Sequence, residues 1–234
     1  MSDDALTSTL STLRGLRVAP SILSADFARL GAQVGEVLAA GARVIHVDVM
    51  DGHFVEPITF GAVVVGALAD LVHGAGGVLD VHMMVERPER RIAEIARAGA
   101  DGITFHVEAT PHVDYTLSAI REAGATAGAA ICPATSLDTL TEIAGAALDL
   151  ALCMSVNPGW GAQTFIPNSL GKLQRMRAML PDGVVLEVDG GVHDATAGPC
   201  VQAGANLLVT GSGVFGSADP AAAYARIAAT VGAV

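Results

Sequence analysis

The run RVIHVDVMDGHF sets His46 and Asp48 two residues apart in an otherwise apolar segment. Side chains on a β-strand alternate between faces, so these two point one way while Val47 and Val49 point the other. A carboxylate in apolar surroundings needs a cation, a second titratable group or a substrate beside it. VLDVHMMV contributes His82 and LEVDGGV contributes Asp189, each near the end of an apolar run. Two imidazoles and two carboxylates suit one divalent ion, with Zn²⁺, Fe²⁺, Mn²⁺ and Co²⁺ all left open. A lone histidine at a strand end is ordinarily a hydrogen-bonded core residue. Four such groups at equivalent positions point instead to a metal.

A second chemistry is written in glycine. Gly159-Trp160-Gly161, Gly190-Gly191 and Gly211-Ser212-Gly213 bring bare backbone N–H groups into three loops. Such loops, with helix N-termini, bind phosphate without cationic side chains. That suits a chain whose only lysine is Lys172. Asp48 and Asp189, on strands facing each other across a barrel, could address opposite faces of a flat intermediate. One would remove a proton next to a carbonyl and the other would return it from behind, with the metal stabilising an enediolate. His53, His73, His106, His112 and His193 lack this joint placement and are read as structural or exposed. Asp51, before Gly52, is read as a turn former.

These residues need a scaffold that gathers strand ends. LAAGARVIHVDV, ARAGADGITFHV, REAGATAGAAIC and VQAGANLLVTGS share one grammar: a helix, an Ala-Gly-Ala stop and a β-rich run. Gly41, Gly99, Gly124 and Gly204 recur at near multiples of roughly 27 residues, the length of one βα unit. Filling the gaps predicts strands at 17–22, 43–49, 78–84, 102–107, 126–131, 149–155, 183–188 and 206–210, with amphipathic helices between. Eight alternating units imply a single (β/α)₈ TIM barrel with its site at the C-terminal ends of the strands. A doubly wound open sheet is disfavoured because APSILSADF, rather than a G-x-G-x-x-G turn, follows the first strand.

The bulk numbers agree. The chain has 234 residues, 51% hydrophobic and 16% charged, enough for a large core. A net charge of −11 argues against nucleic-acid binding. No apolar run approaches a membrane span, and the acidic, Ser/Thr-rich start lacks the features of a signal peptide. Residues 1–16 are expected to form an extension outside the main fold, with 17–234 forming the barrel. Cys132, Cys153 and Cys200 show no C-x-x-C spacing and are read as buried apolar fillers in a reducing cytoplasm.

APSILSADF, HVDVMDGHFV with ITFG, VHMMVERPE, GADGITFHVEA, MSVNPGWGAQTFIP, EVDGGV and VTGSGVFG stand in the order and spacing of one family. From about Arg17 onward the chain resembles ribulose-phosphate 3-epimerases. The resemblance implies interconversion of D-ribulose 5-phosphate and D-xylulose 5-phosphate. It implies His46, Asp48, His82 and Asp189 as metal ligands, with Asp48 and Asp189 as the acid/base pair. Ser21, His82, Gly159, Trp160, Gly161, Ala162, Asp189, Gly190, Gly191, Gly211 and Ser212 would hold the phosphorylated ketose. Met50, Met84 and Met154 would cap the site. Glu56 and Pro57, Met83, Cys132, Trp160 and Ala162 depart from the family's usual residues, and none is a ligand or an acid/base group. The protein is expected to be a homo-oligomer.

Rival readings are weaker. Epimerases of D-allulose 6-phosphate tend to carry serine where Gly191 stands. A Schiff-base aldolase needs a lysine at a strand end, which Lys172 is not. Related decarboxylases use D-x-K-x-x-D, and D-V-M-D supplies no lysine. A metal-dependent hydrolase usually shows H-x-H, where H-x-D stands here. A non-catalytic sugar-phosphate-binding barrel would not need the complete acid/base set.

Overall fold

The computed structural model describes residues 3–144 and 148–233. Eight strands run in parallel: β1 (Arg17–Pro20), β2 (Val44–Met50), β3 (Val78–Met84), β4 (Gly102–His106), β5 (Thr126–Ile131), β6 (Leu150–Met154), β7 (Val185–Asp189) and β8 (Leu207–Thr210). Their order is β1-β8-β7-β6-β5-β4-β3-β2, and a parallel bridge from Ser21 to His46 brings β1 back to β2. The sheet therefore closes into the expected TIM barrel. The four Ala-Gly-Ala glycines have φ of 88° to 111°, a conformation open to glycine, and each turns the chain from a helix into the next strand.

Helices cover the outside: α1 (Asp3–Arg14), α2 (Leu30–Ala39), α3 (Ala62–Gly74), α4 (Ile92–Arg97), α5 (Val113–Glu122), α6 (Asp138–Thr141), α7 (Asn168–Met179), α8 (Asp194–Gln202), α9 (Ser212–Phe215) and α10 (Pro220–Val231). Every strand residue is buried except half-buried Arg17 and Asp189, because one face meets helices and the other fills the barrel. Val47, Val81, Ile103, Ala127, Ala151, Leu186 and Leu208 build the outer core. Ala19, Val44, Val78, Ala130, Leu150, Leu152, Val185 and Leu207 pack the interior. No helix among the described residues is long and apolar enough to cross a membrane.

The N-terminal segment is more involved than its composition suggested. Leu13 of α1 is fully buried and joins the interior cluster. Asn206 Nδ2 donates to the carbonyls of Leu13 and Arg14, and Arg14 Nε donates to Gly183 O at 2.9 Å. These contacts lie at the N-terminal ends of β7 and β8, opposite the site, where α1 closes the barrel floor.

Candidate active site and metal centre

Strands β2 and β3 pair with His46 opposite Asp80 and Asp48 opposite His82. With two residues per repeat, each strand projects one side chain deep into the barrel and the next one toward the mouth. The deep layer holds His46, Asp80 and Glu187, and the upper layer holds Asp48, His82 and Asp189. His46 Nε2 reaches up to within 3.3 Å of Asp48 Oδ1. His82 Nδ1 lies 3.2 Å from Asp48 Oδ1 and 3.8 Å from Asp189 Oδ2. One ligand atom from each of His46, Asp48, His82 and Asp189 lies within 4.8 Å of the other three.

The supporting hydrogen bonds fix which atoms face this cluster. Asp80 Oδ2 sits 2.7 Å from His46 Nδ1, which assigns the ring proton to Nδ1 and aims the Nε2 lone pair at the cluster. That Nε2 is buried and has no hydrogen-bond partner. Ser21 Oγ donates to Asp48 Oδ2 at 2.5 Å, and Thr59 Oγ1 donates to the Asp48 carbonyl at 2.7 Å. Ser155 Oγ lies 2.8 Å from the Asp189 carbonyl and 2.6 Å from that of Gly190. His82 Nε2 faces His106 Nε2 at 2.9 Å, and His106 Nδ1 faces Glu108 Oε2 at 3.2 Å. With Glu108 accepting, one proton per ring runs along this chain and leaves the His82 Nδ1 lone pair free. Two free imidazole lone pairs beside two carboxylates fit a borderline divalent cation.

Electrostatics separate the two aspartates. Burial would raise the Asp48 carboxyl, but the charge of the neighbouring His46 outweighs it and holds Asp48 well below the usual carboxylate range. Burial, then the neighbouring Asp48 charge, push Asp189 up to about 7. Burial would lower His46, but Asp48 and Asp80 raise it well above the usual imidazole value. Burial, then the neighbouring Asp80 charge, raise Glu187 well above the usual carboxylate range.

A cavity of about 490 Å³ opens above the cluster. Asp48 and Asp189 form part of its floor, with Ser21, Met50, Met84 and Met154 around them. Its wall includes Gly159, Trp160, Gly161, Ala162, Gly190, Gly191, Gly211 and Ser212. His46 and His82 are fully buried beneath the floor and do not line it. Gly191 has a φ of 66°, and a Cβ there would lie 2.6 Å from Phe165 N. A Cβ on Gly211 would meet Ser24 Oγ at 2.7 Å. Trp160 stands 63% exposed at the rim, and Ala162 adopts a φ of 57°.

Three residues at this site escaped the sequence reading. Asp80 and Glu187 obey the alternation that exposed Asp48, standing two residues before His82 and Asp189, and the same pattern could have found them. His106, set aside as structural or exposed, is buried against His82. The other histidines lie elsewhere: His53 folds onto the Asp51 turn, His73 pairs with Asp101, and His193 caps α8. Asp51 accepts from the N–H groups of His53, Phe54 and Glu86, the turn role expected of it.

The family model described as the ribulose-phosphate 3 epimerase family matches residues 17–215. The chain belongs to the ribulose-phosphate 3-epimerase family. It is 44% identical over 216 residues to ribulose-phosphate 3-epimerase of Bacillus subtilis (strain 168), covering 91% of this chain and 98% of that relative. It is 47% identical over 219 residues to ribulose-phosphate 3-epimerase of Synechocystis sp. (strain ATCC 27184 / PCC 6803 / Kazusa), covering 92% and 94%. Among solved structures, KGPDC from Streptococcus mutans superposes with a TM-score of 0.70 at 16% identity, covering 92% of this chain and 97% of that one. At that identity the likeness to KGPDC shows the barrel alone.

Proposed function

We propose that this family member is a metal-dependent 3-epimerase interconverting D-ribulose 5-phosphate and D-xylulose 5-phosphate. The observation that carries the reading is the pair Asp48 and Asp189. Both carboxyls meet His82 Nδ1 on the cavity floor, yet their surroundings push one down and the other up. Such separated carboxyls suit one base and one acid. A divalent ion held by His46 Nε2, Asp48, His82 Nδ1 and Asp189 would supply Lewis-acid stabilisation of the charge developing on the substrate oxygens.

In this reading, Asp48 takes the C3 proton on one face of the ketose and leaves a planar enediolate. Asp189 gives its proton to C3 on the other face, inverting the centre, and the two carboxyls have then exchanged protonation. The reverse reaction uses Asp189 as base and Asp48 as acid. Backbone N–H groups at Gly190, Gly191, Gly211 and Ser212 would hold the phosphate. Met50, Met84 and Met154 would keep water from the enediolate.

Side-by-side assays of D-ribulose 5-phosphate and D-allulose 6-phosphate, with bound metal measured, test the assignment. The expected result is a much higher kcat/KM for the pentose phosphate. Preference for the hexose phosphate would overturn the substrate. Full activity after metal removal would overturn the cofactor.

A further inference from the structure

We propose that His106, Glu108 and Cys132 form a second, thiophilic divalent-metal site whose filling opposes metal binding at the barrel mouth. His106 ends β4, Glu108 lies in the turn that follows, and Cys132 is the first residue after β5. Their ligand atoms lie within 4.8 Å of one another. Cys132 Sγ is 3.6 Å from His106 Nδ1, and Glu108 Oε2 is 3.2 Å from the same nitrogen. Bonds to zinc of about 2.3 Å from sulfur and about 2.0 Å from nitrogen or oxygen, at a tetrahedral angle, give edges of about 3.5 Å for S···N and about 3.3 Å for N···O. The two edges that meet at His106 Nδ1 therefore stand near the separations of bound ligands already, and the third lies within 4.8 Å.

The supports are in place as well. Glu108 Oε1 accepts from Cys132 N at 2.8 Å and from Thr135 Oγ1, which leaves Oε2 for a cation. Lys172 Nζ donates to the carbonyls of Cys132, Pro133 and Thr135 at 2.7, 3.1 and 2.8 Å and pins the loop that carries the sulfur. Phe54 lies against the His106 ring, with centroids 4.8 Å apart. Cys132 and Glu108 both reach the surface, so the site has an entry path, and three protein ligands leave a fourth position for water. Sulfur and imidazole select Zn²⁺ or Co²⁺ over Mg²⁺ and Ca²⁺.

The antagonism follows from counting protons, and it rests on the proposed role of His82 Nδ1. On binding, the Cys132 thiol releases its proton to solvent and the His106 ring proton moves from Nδ1 to Nε2. That proton then points at His82 Nε2, 2.9 Å away, which can accept it only if His82 carries its own proton on Nδ1. The His82 Nδ1 lone pair that faces Asp48 is thereby lost. With a cation on each Nδ1, two N–H groups would confront each other.

Cobalt titration of the metal-free, full-length protein tests this. The first equivalent should bind without a thiolate charge-transfer band, because the barrel-mouth set contains no sulfur. The second should bring the near-ultraviolet band of a cobalt thiolate. Cys153 and Cys200 are fully buried in the core, so the band reports Cys132. Cys132→Ser should abolish the band and keep the first equivalent, and Glu108→Gln should weaken the second by about tenfold. Filling the second site should weaken the first by at least about tenfold in chelator competition. Absence of the band at saturating cobalt, or its survival in Cys132→Ser, overturns the site. Unchanged affinity at the first site overturns the antagonism. A band without any sulfur-free first equivalent would leave this site standing and defeat the barrel-mouth reading instead.

Discussion

At the scale of single residues, the site is two aspartates made unlike by their neighbours. If each serves one face of the enediolate, removing one leaves half a mechanism rather than a slow whole one. Asp189→Asn is expected to lower epimerisation by several orders of magnitude while Asp48 still exchanges the C3 proton of one epimer with solvent deuterium, with configuration retained. Asp48→Asn should exchange the other epimer. Bound metal is measured in each variant, because a lost cation would also lower the rate. Near wild-type epimerisation by either metal-loaded variant would refute the assignment. Asp80 acts at one remove, through the 2.7 Å contact that orients His46. Asp80→Asn should weaken metal binding by about tenfold in chelator competition, because a neutral partner polarises the imidazole less. Equal affinity would show that His46 needs no such support.

At the scale of elements, the loops and termini carry distinct loads. The sole lysine lies in α7 and donates to three carbonyls of the loop after β5, away from the glycine loops proposed for phosphate. Lys172→Met leaves those carbonyls without their donor and should cost about 1–3 kcal/mol in urea denaturation. KM for the sugar phosphate should stay within about twofold, since uncharged backbone groups are the proposed phosphate ligands. A large rise in KM would relocate the phosphate. At the other end of the barrel, Leu13→Ala removes a side chain packed with Val44, Val78 and Leu207. A loss of about 2–4 kcal/mol is expected from the cavity left in the barrel floor. A change below about 0.5 kcal/mol would show that α1 is only loosely attached.

At the scale of the whole molecule, buried titratable groups set how the protein meets acid. Burial lowers His106 to about 4, and burial is outweighed at Glu108 by His106, Thr135 and backbone donors, which bring it to about 2. Unfolding returns His106 to about 6.5 and Glu108 to about 4.3. Between pH 6.5 and 4 the unfolded chain therefore binds a proton at His106 that the folded chain refuses, and stability falls as pH falls. Glu108 continues the loss from about pH 4.3 toward 2 by the same sign, as a group whose folded carboxyl is depressed. Urea denaturation of the metal-free protein should show this decline, and His106→Gln should flatten the part between pH 6.5 and 4. An unchanged slope in the variant would show that His106 is not the group responsible.

The sequence by itself determined the repeating βα grammar, the strand ends that carry His46, Asp48, His82 and Asp189, and the glycine loops at the same rim. It could do so because period-two alternation and glycine stops are local consequences of backbone sterics, readable a few residues at a time. Only the tertiary structure decided what those residues touch. The pairing of Asp80 with His46, the raised carboxyl of Glu187 beneath them and the contact between His82 and His106 join strands far apart in sequence. So does the burial of Leu13, a residue that stands in a polar segment and reads locally as part of a detached extension. Hydrogen-bond partners and local dielectric depend on which strands meet when the barrel closes, and no window of sequence contains both sides of those contacts.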